Sequence, residues 1–249
     1  MRSKLMTPLL VGLTVAAAAL GPTRETARAD TDDQTATVFH GPVVRPGYPD
    51  PFSIGYILRK STLSPDKEYG VILPKLLLQE EPDFIVNVKT SAILGSVEVG
   101  EMVTPYYEHQ NYGGLTVSWS PDSSAALVEI DEKWGPGALV VVEIIDGKIQ
   151  RQTDLSAQVE KLFSPATAKR SRSREAGVGE YSLTASKWRL TGKSKQLELK
   201  FEGQTNPKEF PDQSVWQGTL LAVWDLGQQR FVEHEVTETG FTPAGKGDQ

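Results

Sequence analysis

The chain has 249 residues, 32 acidic against 26 basic side chains, a formal charge of −6 and no cysteine. An acidic balance argues against a general nucleic-acid surface, which needs a basic field, and the lack of cysteine removes thiol nucleophiles, Cys-based zinc sites and iron–sulfur clusters. The length suffices for one sizeable core or two small ones.

In chain order, Arg2 and Lys4 precede an almost wholly apolar stretch from Met6 to Leu20, followed by Ala27-Arg28-Ala29. That stretch is short of the roughly 20 residues a membrane span needs. A charged start, a short apolar run and a small-x-small site predict a secretory signal over residues 1–29, cut after Ala29. A retained membrane anchor is the competing reading. No cysteine follows the apolar run and no twin-arginine pair precedes it, so the expected location is periplasmic or secreted, in a bacterium. Residues 30–51 are polar and rich in Pro and Gly, with neither hydrophobic period. They are expected to form a flexible N-terminal segment.

From 52 to 240 the period of two dominates. A first unit spans about 59–99. It has a Ser64-Pro65-Asp66 turn, Val71 and Leu73 after it, the apolar run Phe84 to Val88, and Lys89-Thr90-Ser91 as a second turn. A second unit, about 115–155, is the clearest. Leu115, Val117 and Trp119 alternate with polar residues, as a half-buried strand requires. Ser120-Pro121-Asp122 makes a turn, since Pro presets φ and Asp bonds nearby backbone. Ala126, Val128 and Ile130 alternate again, Leu139 to Ile145 is apolar apart from Glu143, and Asp146-Gly147 predicts a two-residue hairpin loop. The two Ser-Pro-Asp triplets are 56 residues apart. A third, degenerate unit covers about 181–236, with Thr191-Gly192-Lys193-Ser194 in place of the Ser-Pro-Asp turn, Leu220 to Trp224 as the apolar strand and Phe231 to Val236 closing it. Between the second and third units, Gln158 to Phe163 predicts one or two helical turns. Lys169, Arg170, Arg172 and Arg174 read as an exposed linker, or alternatively as a salt-sensitive docking spot for anions. Residues 241–249 are expected to be a disordered tail. The predicted fold class is therefore all-β, three propeller-blade-like antiparallel sheets forming an incomplete or atypical β-propeller.

The string Val117-Ser118-Trp119-Ser120-Pro121-Asp122-Ser123-Ser124-Ala125-Ala126, the run LVVVEIIDGK and Gln152-Thr153-Asp154-Leu155 together resemble the WD40-like repeat of TolB and related bacterial propellers. The match is good over 115–155, fair over 61–99 and weak over 181–236. Ser123 departs from the family pattern, which has Gly there. Three units fall short of the four to eight of a closed ring, which leaves an open stack or a ring completed by self-association. The resemblance implies a propeller-type scaffold and no particular function.

Motifs for catalysis are absent: the sequence has no Gly-x-Ser-x-Gly, no His-Glu-x-x-His, no phosphate loop and no dinucleotide fingerprint. No cofactor and no metal is expected. Of the three histidines, His40 and His234 read as exposed surface. The segment Thr104 to Gly114 is different, because Tyr106, Tyr107, Glu108, His109, Asn111 and Tyr112 crowd flat aromatic faces and hydrogen-bonding groups into one inter-unit connection. Trp134, in Lys133-Trp134-Gly135-Pro136-Gly137, is a further candidate contact. The competing reading makes these aromatics covers for the inter-sheet core. Glu129 and Asp131 share a strand face at a spacing that glycoside hydrolysis permits, but alternating acids on a polar face are commonplace. Glu143 interrupts an apolar run and is expected to find a structural partner. Two functions from different classes follow. The favoured one is a non-catalytic scaffold that binds a protein, peptide or envelope polysaccharide through a loop face, without nucleic acid or membrane span. The alternative is a hydrolase using His109 with loop carboxylates.

Overall fold

Alternation with period two and turn signals every few residues leave this chain little choice but short antiparallel strands. The computed structural model describes residues 37–39, 56–74, 83–99, 102–103, 114–131, 138–170, 178–191, 194–206 and 214–243. The first sheet is a five-stranded meander of β1 (Thr37–Phe39), β2 (Tyr56–Leu58), β3 (Tyr69–Pro74), β4 (Phe84–Asn87) and β5 (Ala92–Ser96). A small two-stranded ribbon, β6 (Glu98–Val99) and β7 (Met102–Val103), follows. The second sheet runs β8 (Gly114–Trp119), β9 (Ala125–Asp131), β10 (Ala138–Ile145) and β11 (Lys148–Asp154). After α1 (Ser156–Arg170) comes the third sheet: β12 (Glu180–Thr191), β13 (Ser194–Gln204), β14 (Val215–Asp225) and β15 (Arg230–Thr242). The chain is all-β apart from α1 and a single 3-10 turn at Lys60–Thr62 among the described residues. The three sheets are propeller-like units in an arrangement that does not close.

The second sheet is the centre of the stack, because it buries both faces. Ala126, Val128, Ile130, Val140 and Val142 pack with Val71, Leu73 and Ile85 of the first sheet. The alternate residues Ala125, Leu127, Leu139 and Val141 pack with Leu197, Phe201, Leu220 and Trp224 of the third sheet. Two-sided burial is why β10 is a continuous apolar run rather than an alternating one. In the first sheet the opposite face is buried as well, through Tyr56, Ile72, Phe84 and Val86. The third sheet differs. Directly opposed residues on paired strands share a face, so the register puts Glu198, Lys200, Thr219, Leu221, Val223, Glu233 and Glu235 together on its outer side. A polar outer face ends a stack of repeats.

The structure departs from the sequence-based expectations at three places. Phe241 and Thr242, within the expected disordered tail, continue β15 and pair with Trp216 and Val215. Thr37–Phe39, within the segment expected to be flexible, pairs with β2 as the edge strand of the first sheet. The expected one or two helical turns are a 15-residue helix that includes Lys169 and Arg170. Ser164-Pro165 looks like a stop signal, since the residue before proline is biased away from helix. Tertiary packing overrides it: Val159, Phe163 and Thr167 form a buried stripe at helical spacing. A Cβ on Gly203 of β13 would come within 3.0 Å of the Phe163 ring, so glycine is what lets the helix lie against the sheet. At the other end of α1, the Arg170 Nε donates to Glu238 of β15 at 2.8 Å, and its guanidinium lies 5.0 Å from the centre of the Phe241 ring. Arg170 is therefore a clamp between elements and not part of an exposed linker.

Candidate functional site

The stack has two ends, and the Ser-Pro-Asp turns define one of them. Ser64 Oγ donates to Asp66 Oδ1 at 2.6 Å and accepts from the Tyr69 N–H at 2.9 Å. Fifty-six residues on, Ser120 Oγ donates to Asp122 Oδ1 at 2.7 Å and accepts from the Ala125 N–H at 3.0 Å. Lys67 and Ser123, at the same place in each turn, adopt φ of 59° and 57°. A left-handed residue there is what makes glycine the favoured occupant of such a turn. Both described hairpin turns of the second unit follow their sequence signals, with Asp146 and Gly147 at φ of 51° and 70°.

Side chains at this end are engaged in joining neighbouring units. The Trp119 indole N–H donates to the Thr62 carbonyl of the first unit at 2.8 Å, and the Trp188 N–H donates to the Ser118 carbonyl of the second unit at 3.0 Å. Thr62 and Ser118 are themselves 56 residues apart, so one link is used twice. The Asp66 N–H donates to Ser123 Oγ at 3.3 Å. The Lys195 ammonium bonds Asp122 at 2.9 Å and also Ser124. Partial burial works against the Asp122 carboxylate, but the hydrogen bonds from Ser120, Lys195 and Ser124 outweigh it and hold its pKa well below the ordinary value. Asp66 shows the same balance more weakly: burial opposes the charge, and Ser64 and the Glu68 N–H overcome it. The turn end is thus a cross-linking seam.

The opposite end of the second sheet is where the sequence-predicted residues attach. Gly114 pairs with Asp131, and Ala138 pairs with Ile130. The segment carrying Tyr106, Tyr107, Glu108, His109, Asn111 and Tyr112 leads into Gly114. The segment carrying Trp134 connects Asp131 to Ala138. These seven residues lie outside the described residues. Their attachment points are described, and they sit on three successive strands, which spans about 10 Å. Strand parity places these attachment points at one end of the sheet. That relation follows from counting strands in a meander, and sequence reasoning missed it.

The remaining candidates whose side chains are described are structural or surface groups. Glu143 is half-buried, with Arg151 Nε at 3.7 Å and a hydrogen bond from Gln229 Nε2 at 2.8 Å, which is the structural partner expected for it. Glu129 shares its face with Leu127 and Leu139, toward the third sheet. His234 is exposed on β15, and His40 lies outside the described residues. Among the described residues, no group of three His, Asp or Glu is placed to hold a metal ion, and no helix is long and apolar enough to cross a membrane. The outer face of the third sheet carries a trough of about 620 Å³. No sequence motif announced it, because its rows come from four different strands. No family model matches the chain, and no curated protein is similar to it.

Proposed function

We propose that this chain is an exported, non-catalytic β-scaffold that captures a protein, peptide or envelope polysaccharide at the end of the central sheet opposite its Ser-Pro-Asp turns. The observation that carries this reading is the register of β8, β9 and β10, which attaches the aromatic segments 104–113 and 132–137 to one end of one sheet. Tyrosine and tryptophan offer large, stiff contact surfaces with a polar tip, the composition that dominates binding hot spots. The other end offers less, because its Asp, Ser and Lys side chains already bond one another and its indoles already bond backbone carbonyls across the seam. The TolB-like pattern around Trp119 to Ala126 fits the same picture of an exported propeller-type scaffold, as do the charged start, apolar run and small-x-small site of residues 1–29.

The test is capture of immobilised neutral and acidic oligosaccharides and of an extended-peptide array by the purified chain. Tyr106→Ala and Tyr107→Ala are each expected to weaken the strongest interaction about tenfold, as loss of an aromatic anchor does, with melting temperature unchanged. Turnover of a glycan or ester panel by the wild type, abolished in His109→Ala, would replace this reading with that of a hydrolase.

A further inference from the structure

The outer face of the third sheet has a charge pattern with a sense of direction. One row across the four strands is Lys187, Glu198, Val223 and Glu233, and the next is Ala185, Lys200, Leu221 and Glu235. Along one edge, Lys187 and Arg189 make β12 basic. Along the other, β15 carries the acidic Glu233 and Glu235 and, in the end row of Arg189, Arg230, whose guanidinium already donates to Gln228. Between them Leu221 is 49% exposed beside Val223, forming the floor of the 620 Å³ trough. Arg189 already pairs with Glu198. Lys187, Glu233 and Glu235 make no ion pair among the described residues. This is a poor surface for another apolar sheet, but it is complementary to itself.

We infer that a second copy of this chain docks here, forming a two-fold dimer through the outer faces of the two third sheets, with the axis between the sheets and parallel to their strands. Rotation about that axis reverses the strand order and keeps each row at its level. Lys187 then faces Glu233 of the partner subunit, and Leu221 lies against the methylene stem of Lys200 of the partner subunit. The other in-plane two-fold axis, across the strands, sets β12 on β12 and brings like charges together, so charge selects the first. Packed sheets lie about 10 Å apart, a gap that Lys and Glu side chains reaching from both sides can bridge. Four strands about 4.8 Å apart and about 11 residues long present roughly 600 Å² per copy. A face-to-face pair would bury about 1,200 Å² in all, at the lower end of specific interfaces. The inference does not depend on the loop-face reading above.

Sedimentation velocity on the full chain, over a concentration series, tests it. The wild type is expected to dimerise reversibly, and more weakly as salt rises. Lys187→Glu and Glu233→Lys are each expected to weaken dimerisation at least about tenfold. The combined variant is expected to return within about threefold of wild type, because the reversed pair is again complementary. Both positions are exposed, and unchanged circular dichroism and melting would show each variant folded. A wild type that stays monomeric at every concentration overturns the inference. So does a dimer indifferent to either reversal, or one that the combined variant fails to restore; either result would place the contact on another surface or with another partner.

Discussion

Asp122 concentrates much of the seam in one carboxylate. It accepts from Ser120 and Ser124 within its own turn and from Lys195 of the next unit. Its pKa is depressed in the folded state and lies near 3.9 when unfolded. The stabilisation is therefore complete above that unfolded value and falls away as pH drops through the folded one. Asp122→Asn is expected to lower the unfolding free energy at pH 7 by about 1 kcal/mol, a modest figure because solvent screens a partly exposed pair. Urea unfolding curves of wild type and variant should be well separated at pH 7 and begin to converge as pH falls below about 4. Much of this was legible in the residues themselves. Ser-Pro-Asp is a turn because of proline's fixed φ and aspartate's reach to nearby backbone, and its recurrence after 56 residues marked the same turn twice. Lys195 was not legible as its partner, since 73 residues separate it from Asp122.

At the scale of elements, α1 shows what happens when local and tertiary signals disagree. Pro165 removes a backbone donor and argues for a break. The helix nonetheless continues to Arg170, because Phe163 is fully buried among Tyr181, Trp216 and Phe201 of the third sheet and the Arg170–Glu238 pair fastens its last turn. Phe163→Ala is expected to destabilise the protein by about 3–5 kcal/mol, the range for emptying a buried aromatic site. Denaturant unfolding followed by tryptophan fluorescence measures it directly, since the Phe163 and Trp216 rings meet edge to face with centres 6.0 Å apart. The expectation of one or two turns failed here for a physical reason: helices of this length draw most of their stability from packing, and a propensity reading sees only the proline. The strands were easier. Each half-buried strand writes its pattern into alternate residues, and β13, with Leu197, Leu199 and Phe201 between polar and charged neighbours, is as plain in the sequence as in the fold.

On the scale of the whole molecule, the second sheet has no solvent face to spare. A chain ending after Asp154 would leave Ala125, Leu127, Leu139 and Val141 bare on one side. Such a truncation is expected to bind a hydrophobic dye and to melt without a cooperative transition, as chains that lose specific packing do. Calorimetry and dye fluorescence would show it. The candidate loop face was legible only as composition. Tyr106 to Tyr112 and Trp134 looked like contact residues because of what they are, and the pairing of Gly114 with Asp131 and of Ala138 with Ile130 tied their two segments to one end of one sheet.

The turns, the hairpin loops and the alternation of the strands belong to the sequence alone, because each depends on residues within a few positions of one another. Three things were decided only by tertiary structure: the burial of the central sheet on both sides, the persistence of α1 past Pro165, and the assembly of Lys187, Leu221 and Glu233 into a single face. Their physical cause is shared. Desolvation and charge complementarity act between groups brought together from distant strands, and no local pattern records which strands will meet.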